Sequence, residues 1–166
     1  VDGGATFGEL RANVTYMYSA NPSATYDAVR QRVVLFFDNT VTGRLFFQVS
    51  TDGTGTAFKK AVPVGAGTGL RGIAGPGNSI VVLPNGDIAA AAYTHNATSK
   101  EPHASSFSAF VVRSSDGGRS WSRSAEMPHL GEPSLAAVVD TRLHTTRLVV
   151  DARCPDGRGP YAGPLH

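Results

Sequence analysis

A chain of 166 residues with 41% hydrophobic residues is long enough to bury a core of its own as one domain. Its formal net charge of +2 is too small to draw it to nucleic acid or to a membrane surface. The 19 glycines and 10 prolines, set against 17% charged residues, favour short strands and tight turns over long helices. The composition therefore predicts an all-β fold.

Cysteine and histidine usage argues against disulfides and metals. Cys154 is the single cysteine, so an internal disulfide is excluded, and the five histidines follow no spacing typical of zinc ligands. We therefore expect no structural metal. No apolar run is long enough to span a membrane. Val1 opens the chain with no initiator Met and no signal sequence, which predicts that the native N-terminus lies upstream.

Apolar, β-branched and aromatic runs recur at short intervals and predict seven strands. These runs cover residues 32–37, 44–49, 79–83, 87–93, 108–113, 134–139 and 147–150. Residues 52–55, 84–87 and 116–118 predict hairpin turns, because Gly and Asn accept the positive φ that tight turns require. Residues 154–166 are rich in Gly and Pro and show no strand pattern.

A weak internal repeat overlies these strands. Residues 47–53 are echoed by residues 111–117, and the two copies end at the aromatic residues Phe58 and Trp121. The first copy is imperfect, because its second Gly and its aromatic residue fall one position late. Repeated strand–turn–strand units are typical of β-propellers and solenoids. The chain has room for about three four-stranded blades, too few to close a ring, so we expect it to be part of a longer protein.

One copy of the repeat matches the pattern Ser-x-Asp-x-Gly-x-x-Trp, known as the Asp box, at Ser114, Asp116, Gly118 and Trp121. Ser and Asp are expected to accept hydrogen bonds from turn amides, Gly to take a conformation closed to residues with a Cβ, and Trp to pack over the corner. The alternative is an ordinary hairpin with an Asp-Gly-Gly turn. The motif predicts architecture and not chemistry, so Asp116 is not a catalytic candidate.

Four further segments, taken in order, make the chain resemble an exo-α-sialidase (neuraminidase) with Asp-box repeats. They are Asn21-Pro22 with Tyr26-Asp27 and residues 33–37; residues 48–52; residues 74–77 with 80–83 and Ala92-Tyr93; and residues 131–135 with 151–153. The resemblance extends from about Asn13 to Arg153. It implies that residues 1–153 form part of a six-bladed propeller, as about three antiparallel blades. Residues 154–166 would be a tail or the truncated start of the next blade.

The resemblance also implies an activity, the hydrolysis of terminal α-linked sialic acid from glycoproteins, glycolipids or oligosaccharides, which needs no cofactor. Glu132 would be the general base partner of a tyrosine nucleophile, since a neutral phenol approaches the anionic substrate with less repulsion than a carboxylate. Arg153 would bind the sialic acid carboxylate through a bidentate, charge-assisted contact. Asn21 and Tyr93 would line the pocket and contact hydroxyl or N-acetyl groups.

The chain departs from the family pattern at several points. The spacing from Glu132 to Arg153 is longer than usual, through an insertion around residues 141–146, and His95 stands where some relatives place a second pocket tyrosine. The nucleophilic tyrosine, the acid/base aspartate and two of the three carboxylate-binding arginines have no counterpart. The chain alone is therefore expected to be inactive.

Each candidate has a purely structural alternative. Glu132 is also typical of a turn carboxylate before Pro133, Asn21 of an Asn-Pro turn opener, and Tyr93 of a ring that covers the core. Residues 65–77 are glycine-rich and include an arginine, but they precede a strand and not a helix, which argues against a phosphate loop.

The alternative function is a non-catalytic Asp-box propeller that binds glycans or a protein. A third reading is a degenerate relative that binds sialic acid without turnover. The resemblance favours a secreted, cell-surface or lysosomal setting, which the sequons that begin at Asn13 and Asn96 would permit.

Overall fold

The computed structural model describes residues 19–65, 70–75, 77–95, 107–140, 142, 145–153 and 161–164. These residues contain no helix, and 61% of them lie in antiparallel strands. The prediction of an all-β fold is confirmed. Thirteen strands form three sheets that follow one another along the chain.

Sheet 1 is a four-stranded meander. Its strands pair in chain order and are β1 (Ser19–Asp27), β2 (Arg32–Asn39), β3 (Arg44–Val49) and β4 (Val62–Pro63). Strand β2 is mostly buried because it lies between two partners and carries apolar side chains on both faces, of which Val34 and Phe36 are fully buried.

Sheet 2 repeats this order, but its two outer strands are each split into two short pieces. Its strands are β5 (Ile73–Ala74), β6 (Ile80–Val82), β7 (Ile88–His95), β8 (Phe107–Ser114), β9 (Ser122–Arg123) and β10 (Met127–Pro128). Both β5 and β6 pair with β7, and both β9 and β10 pair with β8. Each edge of this sheet is therefore interrupted, which limits pairing with other chains.

Sheet 3 consists of β11 (Gly131–Asp140), β12 (Thr145–Arg153) and β13 (Tyr161–Pro164). Residues 154–166 show no strand pattern in the sequence, but residues 161–164 form β13, which pairs with β12. Its sequence, Tyr-Ala-Gly-Pro, contains two residues that are rare in strands, and such a segment is recognised only by its partner.

Each of the seven predicted strands overlaps an observed one. The hairpins predicted at residues 84–87 and 116–118 join β6 to β7 and β8 to β9. The turn at residues 52–55 returns the chain to a bridge between Ser50 and Phe58, and then to β4. These predictions are confirmed.

Two apolar layers hold the three sheets together, and both depend on the alanine run of β7. Ala90 and Ala92 face sheet 1, where they join a cluster with Phe36 and Leu45. The alternate residues of β7 face sheet 3 and join a cluster with Leu135 and Val150. Because successive strand residues point to opposite faces, sheet 2 is buried on both sides, and its small side chains let both neighbouring sheets approach.

The first strands of the three sheets lie side by side. The Ser79 backbone N–H, between β5 and β6, donates to Ser23 Oγ of β1 at 2.9 Å. The Leu135 N–H of β11 donates to the Asn78 carbonyl at 2.8 Å. A Cβ on Gly75 would lie 1.9 Å from the Pro133 carbonyl oxygen, so that position requires glycine. Sheet 2 is thus fixed between the first strands of its two neighbours.

Candidate functional site

Antiparallel register brings the four predicted site residues to one end of the three sheets. The residue pairs Ala20 with Asp38, Ile73 with Tyr93, and Gly131 with Arg153 each join the start of a first strand to the end of the second. We call this the site end. Asn21 and Glu132 follow directly after Ala20 and Gly131, so they lie there as well.

Glu132 and Arg153 form an ion pair at the site end. Arg153 Nη1 donates to Glu132 Oε2 at 2.9 Å, and the side chains are 69% and 43% exposed. The hydrogen bond to this carboxylate and its negative charge raise the pKa of Arg153. A β-bulge between Gly131 and Ser134, with Glu132 at a φ of +49°, lies where the carboxylate meets the guanidinium.

The long spacing between Glu132 and Arg153 is absorbed at the far end of the hairpin. Pairing is continuous from Ser134 with Asp151 to Asp140 with Thr145. The residues between Glu132 and Arg153 therefore extend away from the site end, and Arg153 lies beside Glu132. Of the loop itself, residues 141, 143 and 144 lie outside the described residues.

Asn21 occupies an equivalent bulge in sheet 1. Its φ is also +49°, and the register of β1 shifts between Ala20 and Ser23. Asn21 Nδ2 donates to Asp38 Oδ1 at 2.9 Å, and the Ala74 N–H donates to the same oxygen at 3.2 Å. Asp38 is only 1% exposed, and this burial raises the pKa of its carboxyl, while the two hydrogen bonds oppose the rise.

Sequence reasoning missed Asp38. The signal was available, since a charged residue directly after two buried phenylalanines is an exception that normally requires a polar partner. The predicted strand ended at Phe37, one residue too early to include it.

A cavity of about 540 Å³ opens between sheets 1 and 2 at the site end. Asn21, Asp38, Arg71, Tyr93 and His95 are among the residues that line it. The pKa of the Tyr93 hydroxyl is raised, first by burial and then by the negative charges of Glu132 and Asp38. Tyr93 is therefore a neutral phenol near pH 7, able to donate a hydrogen bond.

Two residues of the cavity lining, Tyr93 and His95, belong to an aromatic group with Phe107. The His95 ring stacks on Phe107 with centroids 4.5 Å apart, and Tyr93 lies 5.9 Å from the same ring. Phe107 in turn contacts Gly131, where an added Cβ would lie 3.2 Å from the ring. Phe107, which sequence reasoning did not select, thus connects the cavity wall to the strand that carries Glu132.

Arg71 lies at the rim of the cavity with an exposed side chain. The sequence analysis considered the glycine-rich segment around Arg71 only as a phosphate loop. Residues 66–69 and 76 of this segment lie outside the described residues. The Arg71 guanidinium adds a positive charge to the cavity lining, which also contains the carboxyl group of Asp38.

Ser114, Asp116, Gly118 and Trp121 lie at the opposite end, because Ser114 pairs with Ile88 at the start of β7. Asp116 Oδ1 accepts the N–H groups of Arg119 and Ser120, both at 2.9 Å. The Ser120 hydroxyl, which donates to the other carboxylate oxygen, and these N–H donors hold the pKa of Asp116 well below its usual range. Because Ser114 lies at the opposite end of sheet 2, this corner is remote from the site residues.

Further hydrogen bonds close the corner at Gly118. Ser114 Oγ accepts the Gly118 N–H at 2.8 Å, and Gly118 has a φ of +96°. Trp121 Nε1 donates to the Gly118 carbonyl at 3.1 Å, and its ring meets Phe47 of sheet 1 edge-on at 5.2 Å. The indole therefore covers the corner and also connects two sheets.

The imperfect copy of the repeat builds the same carboxylate-centred turn. Asp52 Oδ1 accepts the N–H groups of Gly55 and Thr56 at 2.8 and 3.2 Å, and the Thr56 hydroxyl donates to the second oxygen. The late aromatic residue, Phe58, instead forms a bridge with Ser50.

Within the described ranges, no group of three His, Cys, Asp or Glu side chains is placed to hold a metal ion. The same residues include no helix of the length and apolarity needed to cross a membrane. No protein-family model matches the chain, and no curated protein matches it.

Proposed function

We propose that this chain forms part of an exo-α-sialidase and supplies one side of its sialic acid site. The observation that carries the proposal is the meeting of Glu132 with Arg153 at 2.9 Å, at the end of the sheets where Asn21 and Tyr93 line a cavity. Glu132 and Arg153 are not among the residues that line this cavity, whose lining includes the Asn21 amide and the Tyr93 phenol. A carboxylate, an arginine and such polar groups are suited to bind an acidic sugar.

Arg153 is the proposed ligand of the sialic acid carboxylate. Its guanidinium is charged, and its side chain is 69% exposed, so it is accessible to an anion from solution. Only Nη1 has a hydrogen bond to Glu132, which leaves further donors of the planar fork for a carboxylate. The ion pair with Glu132 orients the guanidinium before the ligand arrives.

Glu132 is the proposed general base. As a phenol attacks the anomeric carbon, the Glu132 carboxylate accepts the phenolic proton, and the new bond to carbon replaces the bond to the leaving group. The resemblance assigns this nucleophile to a tyrosine with no counterpart in the chain, so a segment outside it has to supply that residue.

The proposal extends to the fold. Three consecutive antiparallel meanders, packed face to face with their first strands side by side, are the arrangement expected of neighbouring propeller blades. We infer a sialidase-type six-bladed propeller, with the Ser114–Trp121 corner as its Asp box.

Titration of the chain with N-acetylneuraminic acid, followed by ¹⁵N NMR, tests the carboxylate contact. Arg153→Ala is expected to weaken sialic acid binding about tenfold or more, because it removes a charge-assisted hydrogen bond to the carboxylate. Arg147→Ala is the matched control, because Arg147 lies six residues earlier on the same face of β12, roughly 20 Å away. The methyl ester of the sugar should bind the same to wild type and to Arg153→Ala. Equal effects of the two arginine variants would refute the proposal.

Hydrolysis of a fluorogenic sialoside by the longer protein separates an enzyme from a binding module. Glu132→Gln should reduce kcat, while Glu126→Gln, which alters an exposed carboxylate paired with Arg123, should not. Sialic acid binding without any turnover by the longer wild-type protein would instead favour the non-catalytic alternative.

A further inference from the structure

Asn21 and Glu132 share an unusual backbone arrangement. Each has a φ of +49°, each sits in a β-bulge of the first strand of its sheet, and each precedes a proline. Left-handed backbone is sparsely populated by residues other than glycine and costs on the order of 1–3 kcal/mol, and helical conformations are disfavoured before proline. Such positions persist where the direction of a side chain matters.

The side chains at these two bulges have equivalent partners. Glu132 bonds to Arg153, which lies opposite Gly131, and Asn21 bonds to Asp38, which lies opposite Ala20. The Asn21–Asp38 pair is therefore the sheet 1 counterpart of the ion pair in sheet 3. The two pairs differ in burial, since the Asp38 carboxylate is 1% exposed and the ion pair is largely open to solvent.

The chemistry of Asp38 determines which end of the Asn21 amide faces it. An ionised carboxylate only accepts hydrogen bonds, so the Nδ2 group of Asn21 turns to Asp38 at 2.9 Å. The carbonyl oxygen of the Asn21 amide, Oδ1, then points away from Asp38 and is available to accept a hydrogen bond from another group. Ala74 of sheet 2 donates to the same carboxylate oxygen, which fixes Asp38 from a second sheet and limits its rotation.

We propose that Asp38 is a positioning residue, which holds the Asn21 amide with its carbonyl oxygen turned to the cavity as an acceptor. This part of the cavity then selects a hydroxyl or N–H donor of the ligand, complementary to the phenol of Tyr93, which donates. The inference deepens the proposed function and rests on it for the ligand, since sialic acid carries several hydroxyl groups and an N-acetyl N–H.

The side-chain amide of Asn21 gives a test that needs no ligand. In wild type, its ¹⁵N-resolved NH₂ protons are expected to exchange slowly with water, because one is bonded to a buried carboxylate. Asp38→Asn keeps the size of the side chain, but an amide both donates and accepts, so it no longer dictates the orientation of Asn21. The protons should exchange severalfold faster in Asp38→Asn and in Asp38→Ala. Asp151→Asn, an exposed carboxylate on β12, is the control.

Sialic acid titration of single and double variants tests the consequence for binding. Asn21→Ala and Asp38→Asn should each weaken binding about two- to tenfold, the range for one hydrogen bond. Because Asp38 acts through Asn21, the double variant should bind no more weakly than Asn21→Ala. If the double variant lost affinity by the product of the two single losses, the inference would be overturned. Unchanged exchange rates of the Asn21 amide protons in both Asp38 variants would overturn it as well.

These outcomes separate the inference from the proposed function. If Arg153→Ala binds as wild type does while Asn21 and Asp38 remain coupled, the carboxylate contact is wrong and the inference stands. If wild type does not bind sialic acid, the proposed function fails for this chain, and the amide exchange alone decides the role of Asp38.

Discussion

Replacing Gly118 with alanine tests how the Ser114–Trp121 corner is joined to sheet 1. A Cβ at this position would lie 2.2 Å from Phe47 Cε1 and 2.7 Å from Cδ1. The Phe47 ring is 2% exposed and is covered by Trp121, so it has little room to move away. Gly118 also has a φ of +96°, a conformation that residues with a Cβ avoid.

Two costs are expected for Gly118→Ala. A positive φ costs a residue other than glycine about 1–2 kcal/mol, and forcing extra volume into a packed contact costs about 1–3 kcal/mol. Their sum is about 2–5 kcal/mol of unfolding free energy. Gly43→Ala is the matched control, because Gly43 has a φ of +60° and an added Cβ there would have no heavy atom within 4 Å. It should lose the first cost only.

Urea unfolding, followed by tryptophan fluorescence from Trp121, measures both variants. Gly118→Ala should be less stable than Gly43→Ala by the contact cost, about 1–3 kcal/mol. In a Phe47→Leu background, the two alanine substitutions should differ less, since the clashing ring is gone. Equal destabilisation by both substitutions in the wild-type background would refute the account of a corner packed against Phe47.

Two further predictions concern charges at the end opposite the site. Asp27, which is fully buried, accepts hydrogen bonds from Arg30 and Arg32, which also donate to the Gly86 and Gly117 carbonyls of sheet 2. Asp27→Ala should therefore lower the unfolding free energy in urea by about 3–5 kcal/mol, and a loss no larger than that of Asp151→Ala would contradict this role. Folding lowers the pKa of Asp116, so the ionised carboxylate stabilises the folded state. This contribution to the free energy of unfolding is complete above the ordinary carboxyl pKa of about 3.9 and is lost as the pH falls below that value. Asp116→Asn should flatten the loss of stability on acidification below about pH 4, and a curve parallel to that of wild type would argue against the bonds to Asp116.

The long strands could be predicted from the sequence because they carry apolar side chains at regular spacing over many residues. Strands β4, β5, β9 and β10 have two residues each, too short for any periodicity, and exist only through their partners. Strand β1 was missed for another reason. Its sequence, SANPSATYD, is mostly small and polar with an internal proline, and it forms a strand because β2 supplies an apolar partner.

The candidate site was predictable in part. Antiparallel hairpins join the start of one strand to the end of the next, so placing Glu132 near Arg153 required only the β11–β12 hairpin. Asp38 could be noticed in the sequence as a charged residue after two phenylalanines, but its partners could not be named, because Ala74 lies 36 residues away on another sheet and Asn21 lies in an unpredicted strand. The contacts of Phe107 could not be read from the sequence either, because they come from Tyr93, His95 and Gly131 on other strands.

The two ends of the sheets differ in the contacts that their residues make. At the corner end, buried Asp27 and the packing of Gly118 on Phe47 fix sheet 1 to sheet 2. At the site end, Asn21 and Glu132 have positive φ and hydrogen bonds to Asp38 and Arg153. The hairpin between Glu132 and Arg153 extends to the far end with continuous antiparallel pairing from Ser134 with Asp151 to Asp140 with Thr145. Changes in hairpin length should therefore be tolerated in sheet 3 as long as both strands lengthen together.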